Sequence, residues 1–99
     1  MKDFITSLDK GFESRVRLGI MSILVVNDSV DFNTLKKQLN ISDGNIASHI
    51  TALEKLNYLE VKKQFIGKKP NTSYKVTQQG IKAFKSHLDT LEKLIKIKF

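Results

Sequence analysis

The sequence predicts a mainly α fold with a small β-hairpin, an α+β arrangement within one domain of 99 residues. Two short helices, each with its own capping residue, follow one another after a gap of about three residues. A segment of alternating apolar and polar residues is followed by turn-forming residues and a short return segment, as in a hairpin. An amphipathic pattern then continues almost to the end of the chain and predicts one long helix.

Charge is distributed unevenly along the chain, whose formal net charge is +7. Residues 1–31 have four basic and five acidic side chains, a net charge of −1. Residues 32–99 have thirteen basic and five acidic side chains, a net charge of +8. An excess of lysine can simply form a solvated surface, but its concentration in one part of the chain favours a polyanionic partner.

Composition excludes several classes of protein. The chain has no cysteine, which excludes disulfides and thiolate metal sites and is typical of a reducing cytoplasm. No apolar run approaches the ~20 residues of a membrane span, and residues 1–4 lack a signal-peptide pattern. His49 and His87 are the two histidines, and no nucleophile–base set is evident. We therefore expect a cytoplasmic protein with no cofactor, no metal, no membrane contact and no enzymatic activity.

Apolar residues at helical spacing predict two helices in the first part of the chain. The first covers residues 3–10, and the second, with Ser14 as its N-cap, covers about residues 14–26. Their apolar positions are Phe4, Ile5, Leu8, Val16, Ile20, Ile23 and Leu24. Residues 27–29 are polar and predict a turn.

The helix after this turn has a complete set of capping signals. Asp31 is a natural N-cap, and Val30 and Leu35 then occupy the hydrophobic staple positions on either side of it. Asn40 tolerates the left-handed conformation that commonly ends a helix. These residues predict a short helix that starts next to Asp31.

The following helix repeats the same pattern. Ser42 is its predicted N-cap, and Ile41 and Ile46 are the staple pair. Its predicted buried stripe consists of Ile46, Ile50 and Leu53, and Asn57 is placed to end it. Two capped helices at this spacing are the helix-turn-helix pattern.

A basic hairpin is predicted next. Residues 59–65 alternate between apolar and polar and predict a half-buried strand, and residues 73–76 predict a short return strand. Residues 66–72, which contain glycine, proline and lysines, predict a long tip. The side chains predicted to face inward are Leu59, Val61, Phe65, Tyr74 and Val76.

The last helix is predicted over about residues 78–96, with Thr77 as its N-cap. Its apolar residues recur at spacings of 3, 4, 3 and 4, and they are Ile81, Phe84, Leu88, Leu91 and Ile95. We expect the first half of this seam to pack on its own domain. The second half has no obvious partner apart from the N-terminal helix and a symmetry-related copy, which favours a homodimer. The expected interface residues are Phe4, Ile5, Leu8, Leu88, Leu91, Leu94 and Ile95.

These elements follow the order helix, helix, short strand, helix, helix, strand, strand, helix. This is the order of a winged helix-turn-helix domain, in which the hairpin is the wing. Residues 1–99 would form one such domain, with a reading head over residues 14–76 and a C-terminal dimerisation helix over residues 77–97.

The chain also resembles the small winged helix regulators related to the MarR and ArsR families. The segments that carry this resemblance are Val30-Asp31-Phe32, Leu35, Ser42-Asp43-Gly44-Asn45-Ile46, Ser48-His49, Leu53-Glu54-Lys55-Leu56-Asn57-Tyr58 and Val76-Thr77-Gln78-Gln79-Gly80. The resemblance covers roughly residues 12–95 and implies a homodimeric prokaryotic transcription factor that binds a pseudo-palindromic DNA site. Asn57 departs from it, since these proteins often have glycine there. The metal sites of ArsR-like proteins have no counterpart in a chain without cysteine.

The second helix of the helix-turn-helix pair is the predicted recognition helix. Its outer face is small and polar, which allows a close approach to base edges in a major groove. The expected DNA contacts are Asp43, Gly44, Asn45, Ser48, His49 and Lys55. Asn45 suits adenine, and Gly44 suits a close approach of the backbone to phosphate. The alternatives are a merely solvated face and, for His49, a half-buried packing role.

The wing and its flanks supply positive charge, since residues 55–75 carry six lysines and one glutamate. The expected contacts here are Lys36, Lys37, Lys62, Lys63, Lys68, Lys69 and Asn71. Because the wing has no arginine, we favour phosphate contacts over insertion into a narrow groove, and a solvated hairpin is the alternative. Arg15 and Arg17 either hold phosphate or pair within the protein, with Glu13, or across the dimer.

The sequence therefore predicts a homodimer that binds double-stranded DNA sequence-specifically. The alternative is a winged helix that mediates protein–protein contact, with a basic wing that serves only solubility.

Overall fold

The computed structural model describes residues 2–97, with side chains described from Phe4 onward. Over this range the chain forms five α-helices and a three-stranded antiparallel sheet. The helices are α1 (Lys2–Ser7), α2 (Arg15–Leu24), α3 (Phe32–Leu39), α4 (Asp43–Lys55) and α5 (Gln78–Ile95), and the strands are β1 (Val30–Asp31), β2 (Leu59–Ile66) and β3 (Lys69–Val76). The predicted mainly α winged helix-turn-helix arrangement is confirmed.

Side-chain caps start the helices where the sequence predicts them. The Asp31 carboxylate accepts the Thr34 N–H at 2.7 Å at the start of α3. The Ser42 and Thr77 hydroxyl oxygens play the same part at the starts of α4 and α5. Each cap satisfies a backbone donor that has no partner within the helix, so each fixes the residue at which its helix begins.

Two asparagines end the helices of the helix-turn-helix pair. Asn40 and Asn57 have φ angles of 53° and 61°, in the left-handed region. After α4, the Tyr58 N–H donates to the Leu53 carbonyl at 3.0 Å and the Asn57 N–H donates to the Glu54 carbonyl at 2.9 Å. This is the Schellman pattern, which usually has glycine at the left-handed position. Asn57 therefore serves as the sequence predicts, despite its departure from the family pattern.

The core lies between the sheet and the helices. The strands are ordered β1–β3–β2, so β3 is central. The buried hydrophobic residues among those described are Phe12, Ile20, Met21, Leu24, Val30, Leu35, Ile46, Ile50, Leu53, Leu59, Tyr74, Val76 and Phe84. Apart from Phe12, which precedes α2, they come from α2 to α5 and from all three strands, which fixes the helix-turn-helix pair against the base of the hairpin. No helix over residues 2–97 has both the length and the apolar character needed to cross a membrane.

The long tip predicted over residues 66–72 is wrong. The turn has only two residues, Gly67 and Lys68, and both strands reach it. Gly67 has a φ of 65°, as the first position of a type II′ hairpin turn requires. Pro70, which suggested a loop, lies in β3 opposite Phe65. Its missing N–H is tolerated because this pair is the one next to the closing pair of a two-residue hairpin, so it lies at a non-hydrogen-bonded position of the ladder.

The predicted inward orientation of the Phe65 side chain is also wrong. Its alternation with Leu59 and Val61 predicts an inward side chain, but 74% of its surface is exposed. Leu59, on the same face of β2, is buried. The alternation is correct, but the hairpin extends beyond the helices that form the core, and so the distal half of this face has nothing to pack against.

The N-terminal region also differs from its predicted boundaries. Helix α1 ends at Ser7 instead of residue 10, and a 3-10 turn occupies Lys10–Phe12. This turn is capped by the Asp9 carboxylate, which accepts the Gly11 N–H at 2.7 Å. Helix α2 ends at Leu24, two residues before the predicted end.

Asp9 connects three parts of the molecule. Besides capping the 3-10 turn, its carboxylate accepts the Tyr58 hydroxyl at 2.5 Å, directly after the end of α4. Its backbone N–H donates to Nδ1 of His87 in α5 at 3.0 Å. Burial, together with the hydrogen bond and negative charge of Asp9, raises the pKa of Tyr58 to about 12. The end of α4 is thereby connected to α5 through the segment after α1.

Candidate nucleic-acid interface

Helix α4 has one buried face and one exposed polar face. Ile46, Ile50 and Leu53 are buried in the core, as the sequence predicts. The predicted contact residues on the other side are exposed, and these are Asp43, Gly44, Asn45, Ser48 and Lys55. The helix therefore presents a small, polar surface that its own domain does not use.

The polar side chains of this face differ in how they are engaged. The Ser48 hydroxyl donates to the Asn45 carbonyl at 3.1 Å, and the Thr51 hydroxyl donates to the Ala47 carbonyl at 3.0 Å. These bonds stay within the helix and leave the hydroxyl oxygens as acceptors. The Asn45 side chain has no hydrogen bond to any other residue of the described chain, so its donor and acceptor are both available.

Gly44 has no structural reason to be glycine. A Cβ built on it meets no heavy atom within 4 Å, and its φ is not in the left-handed region. Glycine near the start of a helix destabilises it relative to alanine. The bare backbone at this exposed position is therefore consistent with a close approach by a partner and not with packing inside the domain.

The negative charge at the start of α4 is paired. Lys36 of α3 lies 2.6 Å from the Asp43 carboxylate, and both side chains are exposed. Pairs of this kind contribute little stability in water. The main effect of the Lys36–Asp43 pair is on local charge, because the lysine offsets a carboxylate that would otherwise repel phosphate. Lys37, the next residue of α3, is also exposed.

His49 connects α4, the predicted recognition helix, to α2. The Arg17 Nε–H donates to His49 Nδ1 at 3.0 Å, and an Arg17 terminal N–H donates to the Gly11 carbonyl at 3.5 Å. Nδ1 is therefore an acceptor, which leaves the ring proton on Nε2. Burial and the Arg17 charge lower the pKa of His49, which favours this neutral form.

This contact bears on two alternatives left open by the sequence. His49 is half-buried and bonded to Arg17 through Nδ1, and a DNA contact through its Nε2–H stays a prediction. Arg17 pairs within the protein, although with His49 and not with Glu13. Arg15 is exposed. Sequence reasoning missed Arg17 as a positioning residue because 32 positions separate it from His49. No local pattern signals such a contact.

The wing lysines are all exposed. Lys62 and Lys63 lie along β2, Lys68 lies in the turn, and Lys69 begins β3. Successive strand residues point to opposite faces, so these charges are spread over both sides of the hairpin.

Asn71 differs from these lysines, since it is half-buried and next to Asp31. Hydrogen bonds from Thr34 lower the pKa of Asp31, with a smaller contribution from Asn71. We therefore regard Asn71 as part of the contact between β3 and the start of α3. No group of three or more potential metal ligands occurs within the described part of the chain.

The residues proposed for a dimer interface lie in α1, just after it, and in the second half of α5. Helix α1 packs against α5 within the chain. Phe4, Leu8, Leu91 and Leu94 are half-buried by this packing. Ile5, Leu88 and Ile95 remain exposed, and Ile95 has 83% of its surface in contact with solvent.

Comparisons with known proteins agree with this geometry. Residues 16–95 match the family described as "Winged helix DNA-binding domain". An uncharacterized protein of Methanocaldococcus jannaschii is 37% identical over 87 residues, which are 88% of this chain and 95% of that protein.

Solved structures give the same result. The transcriptional regulator homologue protein from Pyrococcus horikoshii OT3 has a TM-score of 0.83 and 31% identity, over 95% of this chain and 91% of that chain. MarR has a TM-score of 0.75 and 16% identity, over 92% of this chain and 66% of MarR. The PcaV regulator from Streptomyces coelicolor has a TM-score of 0.75 and 12% identity, over 94% and 64%. The last two concern the fold alone, and at that level the resemblance to MarR-like regulators is confirmed.

Proposed function

The chain belongs to the winged helix DNA-binding domain family, whose fold is that of transcriptional regulators and not of enzymes, and we propose that it binds double-stranded DNA sequence-specifically as a homodimer. The observation that carries this proposal is the exposed polar face of α4, which the domain leaves unused, beside a hairpin of exposed lysines. A regulator of this prokaryotic type would act in the cytoplasm, where its DNA lies.

The two parts of the surface have different roles in this proposal. Exposed lysines of the wing bind phosphates, which contributes affinity but no sequence information. Helix α4 enters the major groove and places Asn45 and Ser48 against base edges. Asn45 is suited to a bidentate contact with adenine, and the Ser48 oxygen accepts a hydrogen bond. His49 presents its Nε2–H as a donor, held in that form by Arg17.

The homodimer is supported by the apolar surface of α1 and α5. Soluble proteins seldom leave such a surface uncovered, and closed two-fold dimers are the commonest assembly. Two copies of α4 would then contact two half-sites about one helical turn of DNA apart.

Binding to a random DNA duplex of about 30 base pairs, measured over roughly 50 to 200 mM salt, tests the proposal. We expect binding at low salt, with a logarithm of affinity that falls linearly with the logarithm of salt concentration. Selection of bound sequences from a random pool should then enrich a two-fold symmetric site. A chain that binds no DNA at low salt would instead be a protein-interaction module, and a bound pool without enrichment would contradict sequence specificity.

A further inference from the structure

The end of the wing is apolar as well as basic. Phe65, Ile66 and Pro70 lie within two residues of the turn and are exposed. Single apolar residues on a surface are common, but Phe65 and Pro70 lie together on one face at the end of the hairpin and form an exposed apolar patch, while Ile66 lies on the opposite face. Lysine at these positions would serve phosphate binding better, so phosphate contacts alone do not account for this composition.

The patch consists of Phe65 and Pro70. They are directly opposite each other in the register of β2 and β3 and therefore share one face of the hairpin. Side chains at a non-hydrogen-bonded position stand closer together than those of the neighbouring pairs. The two rings therefore form one apolar unit, on the face that carries Leu59 and Val61 nearer the core.

The hairpin ends in a tight turn, which lets this unit approach a groove closely. Its turn has two residues, and Gly67 at the apex adds no side chain. Val61 is the half-buried residue of β2 nearest the turn, and Asn71, which contacts the start of α3, is the one of β3. Lys69 lies two residues beyond Asn71, about 7 Å along a strand, and the turn extends further. The minor groove of B-DNA is about 7.5 Å deep, so the turn and the pair next to it can enter the groove while Asn71 stays on the domain.

Charge around the patch identifies its partner. Lys63 lies on the same face of the hairpin as the two rings, Lys68 lies in the turn, and Lys69 lies next to Pro70 on the opposite face; all three are exposed. The two edges of a minor groove are lines of phosphate, and its floor offers base and sugar surfaces. An apolar tip with lysine side chains close to it is complementary to this arrangement.

We propose that Phe65, with Pro70 beside it, is an apolar wedge that enters the minor groove and partly unstacks one base step, so that the bound DNA bends. Phenylalanine and proline are among the residues that act in this way in architectural DNA-binding proteins. The wedge makes the site selective for a flexible pyrimidine–purine step under the wing, without any hydrogen bond to a base. This inference rests on the proposed DNA-binding function and adds a second source of specificity to it.

A DNA bending assay tests the wedge. The probe is the duplex enriched from the random pool, with a fluorescence donor and acceptor at its ends. The full-length chain should bring the ends closer together. Phe65→Ala should restore most of the end-to-end distance of the free duplex and weaken binding about tenfold. The salt slope should stay unchanged, since no phosphate contact is lost.

Two variants control for trivial effects. Phe65→Leu keeps an apolar side chain that can wedge between bases, and should retain most of the bend. Val26→Ala removes a similarly exposed apolar side chain, 77% exposed, outside the wing and the recognition helix, and should change neither bend nor affinity. Because Phe65 is itself exposed, its replacement should leave the fold intact, which circular dichroism checks.

Several outcomes would overturn the wedge while leaving DNA binding in place. They are a straight duplex in the wild-type complex, or a bend that Phe65→Ala does not change. Loss of binding to vesicles of anionic phospholipid in Phe65→Ala, with an unchanged DNA bend, would assign the tip to a membrane surface instead. Failure of the wild-type chain to bind any duplex would refute the proposed function itself.

Discussion

At the scale of single residues, substitution of Gly44 should have opposite effects on protein stability and on DNA affinity. Gly44→Ala should stabilise the protein by about 0.5 kcal/mol, because alanine is the better helix former and its Cβ meets no atom of the domain. The same methyl group should weaken DNA binding about tenfold, since it would stand between the backbone and phosphate. Urea denaturation and DNA titration measure the two effects.

Ser86→Ala is the matched control for Gly44→Ala. It improves helix propensity at an exposed position of α5 and should leave DNA binding unchanged. If Gly44→Ala binds DNA as tightly as the wild type, then no partner approaches the backbone at this position.

His49 gives a prediction about pH. Its folded-state pKa is lowered from 6.5, first by burial and then by Arg17, so the unfolded chain binds more protons at this position. The contribution of His49 to stability is therefore complete above pH 6.5 and is lost as the pH falls below 6.5 toward the lower folded value. The loss should stay under about 1 kcal/mol, because the ring is partly exposed and solvent screens the charges.

Urea denaturation at about pH 8 and about pH 5.5 measures this effect. In His49→Gln the amide oxygen can still accept the Arg17 N–H, but the side chain does not titrate. The variant should therefore lose less stability than the wild type on acidification. Equal losses in the two proteins would show that His49 does not carry this pH dependence.

At the scale of elements, the wing should account for much of the salt dependence. Replacing both Lys68 and Lys69 with alanine should reduce the slope of log affinity against log salt by about 1.8, if each lysine contacts one phosphate. Binding should weaken for all sequences alike. A pair of exposed lysines on α5, Lys82 and Lys85, supplies the control, and their replacement should leave the slope unchanged. An unchanged slope in the wing variant would place the tip away from DNA.

The starts of α3, α4 and α5 and the end of α4 could be predicted from the sequence because they depend on local contacts. Asp31, Ser42 and Thr77 each bond to a backbone N–H three residues further on, and Asn57 tolerates its φ angle without help from elsewhere. The exposed polar face of α4 followed from the same local geometry, since the buried stripe of a helix fixes which residues lie opposite it.

The wing could not be predicted in full. Pro70 favours a turn in the absence of other information, and only the pairing of β3 with β2 assigns it to a strand. Alternation predicts which face Phe65 occupies but not where the core ends. The bonds of Asp9 with Tyr58 and His87 span 49 and 78 positions, and no sequence pattern indicates them.

At the scale of the whole molecule, the proposed dimer depends on the exposed surface of α5. Ile95→Glu places a charge on a side chain that is already exposed in the single chain, so it should not unfold the domain. It should convert a dimer to monomers in sedimentation experiments, because the charge would be buried without a partner in the interface. DNA affinity should fall as well, since one copy of the reading head is lost from each complex.

Lys93→Glu places a carboxylate two residues earlier, about 200° around the helix from Ile95, and changes the charge by −2 and not by −1. It should still leave the assembly intact, because that face of α5 lies away from the proposed interface. A persistent Ile95→Glu dimer would place the interface elsewhere.

The nearly neutral recognition helix has a consequence for how this regulator would respond to its surroundings. Helix α4 contains two acidic residues and one lysine, and its Asp43 is already paired, so ions in solution compete little with its contacts to bases. They compete with the wing, whose lysines bind every sequence alike. Osmotic stress that raises intracellular potassium should therefore lower occupancy at all target sites by a common factor and leave their order of preference unchanged.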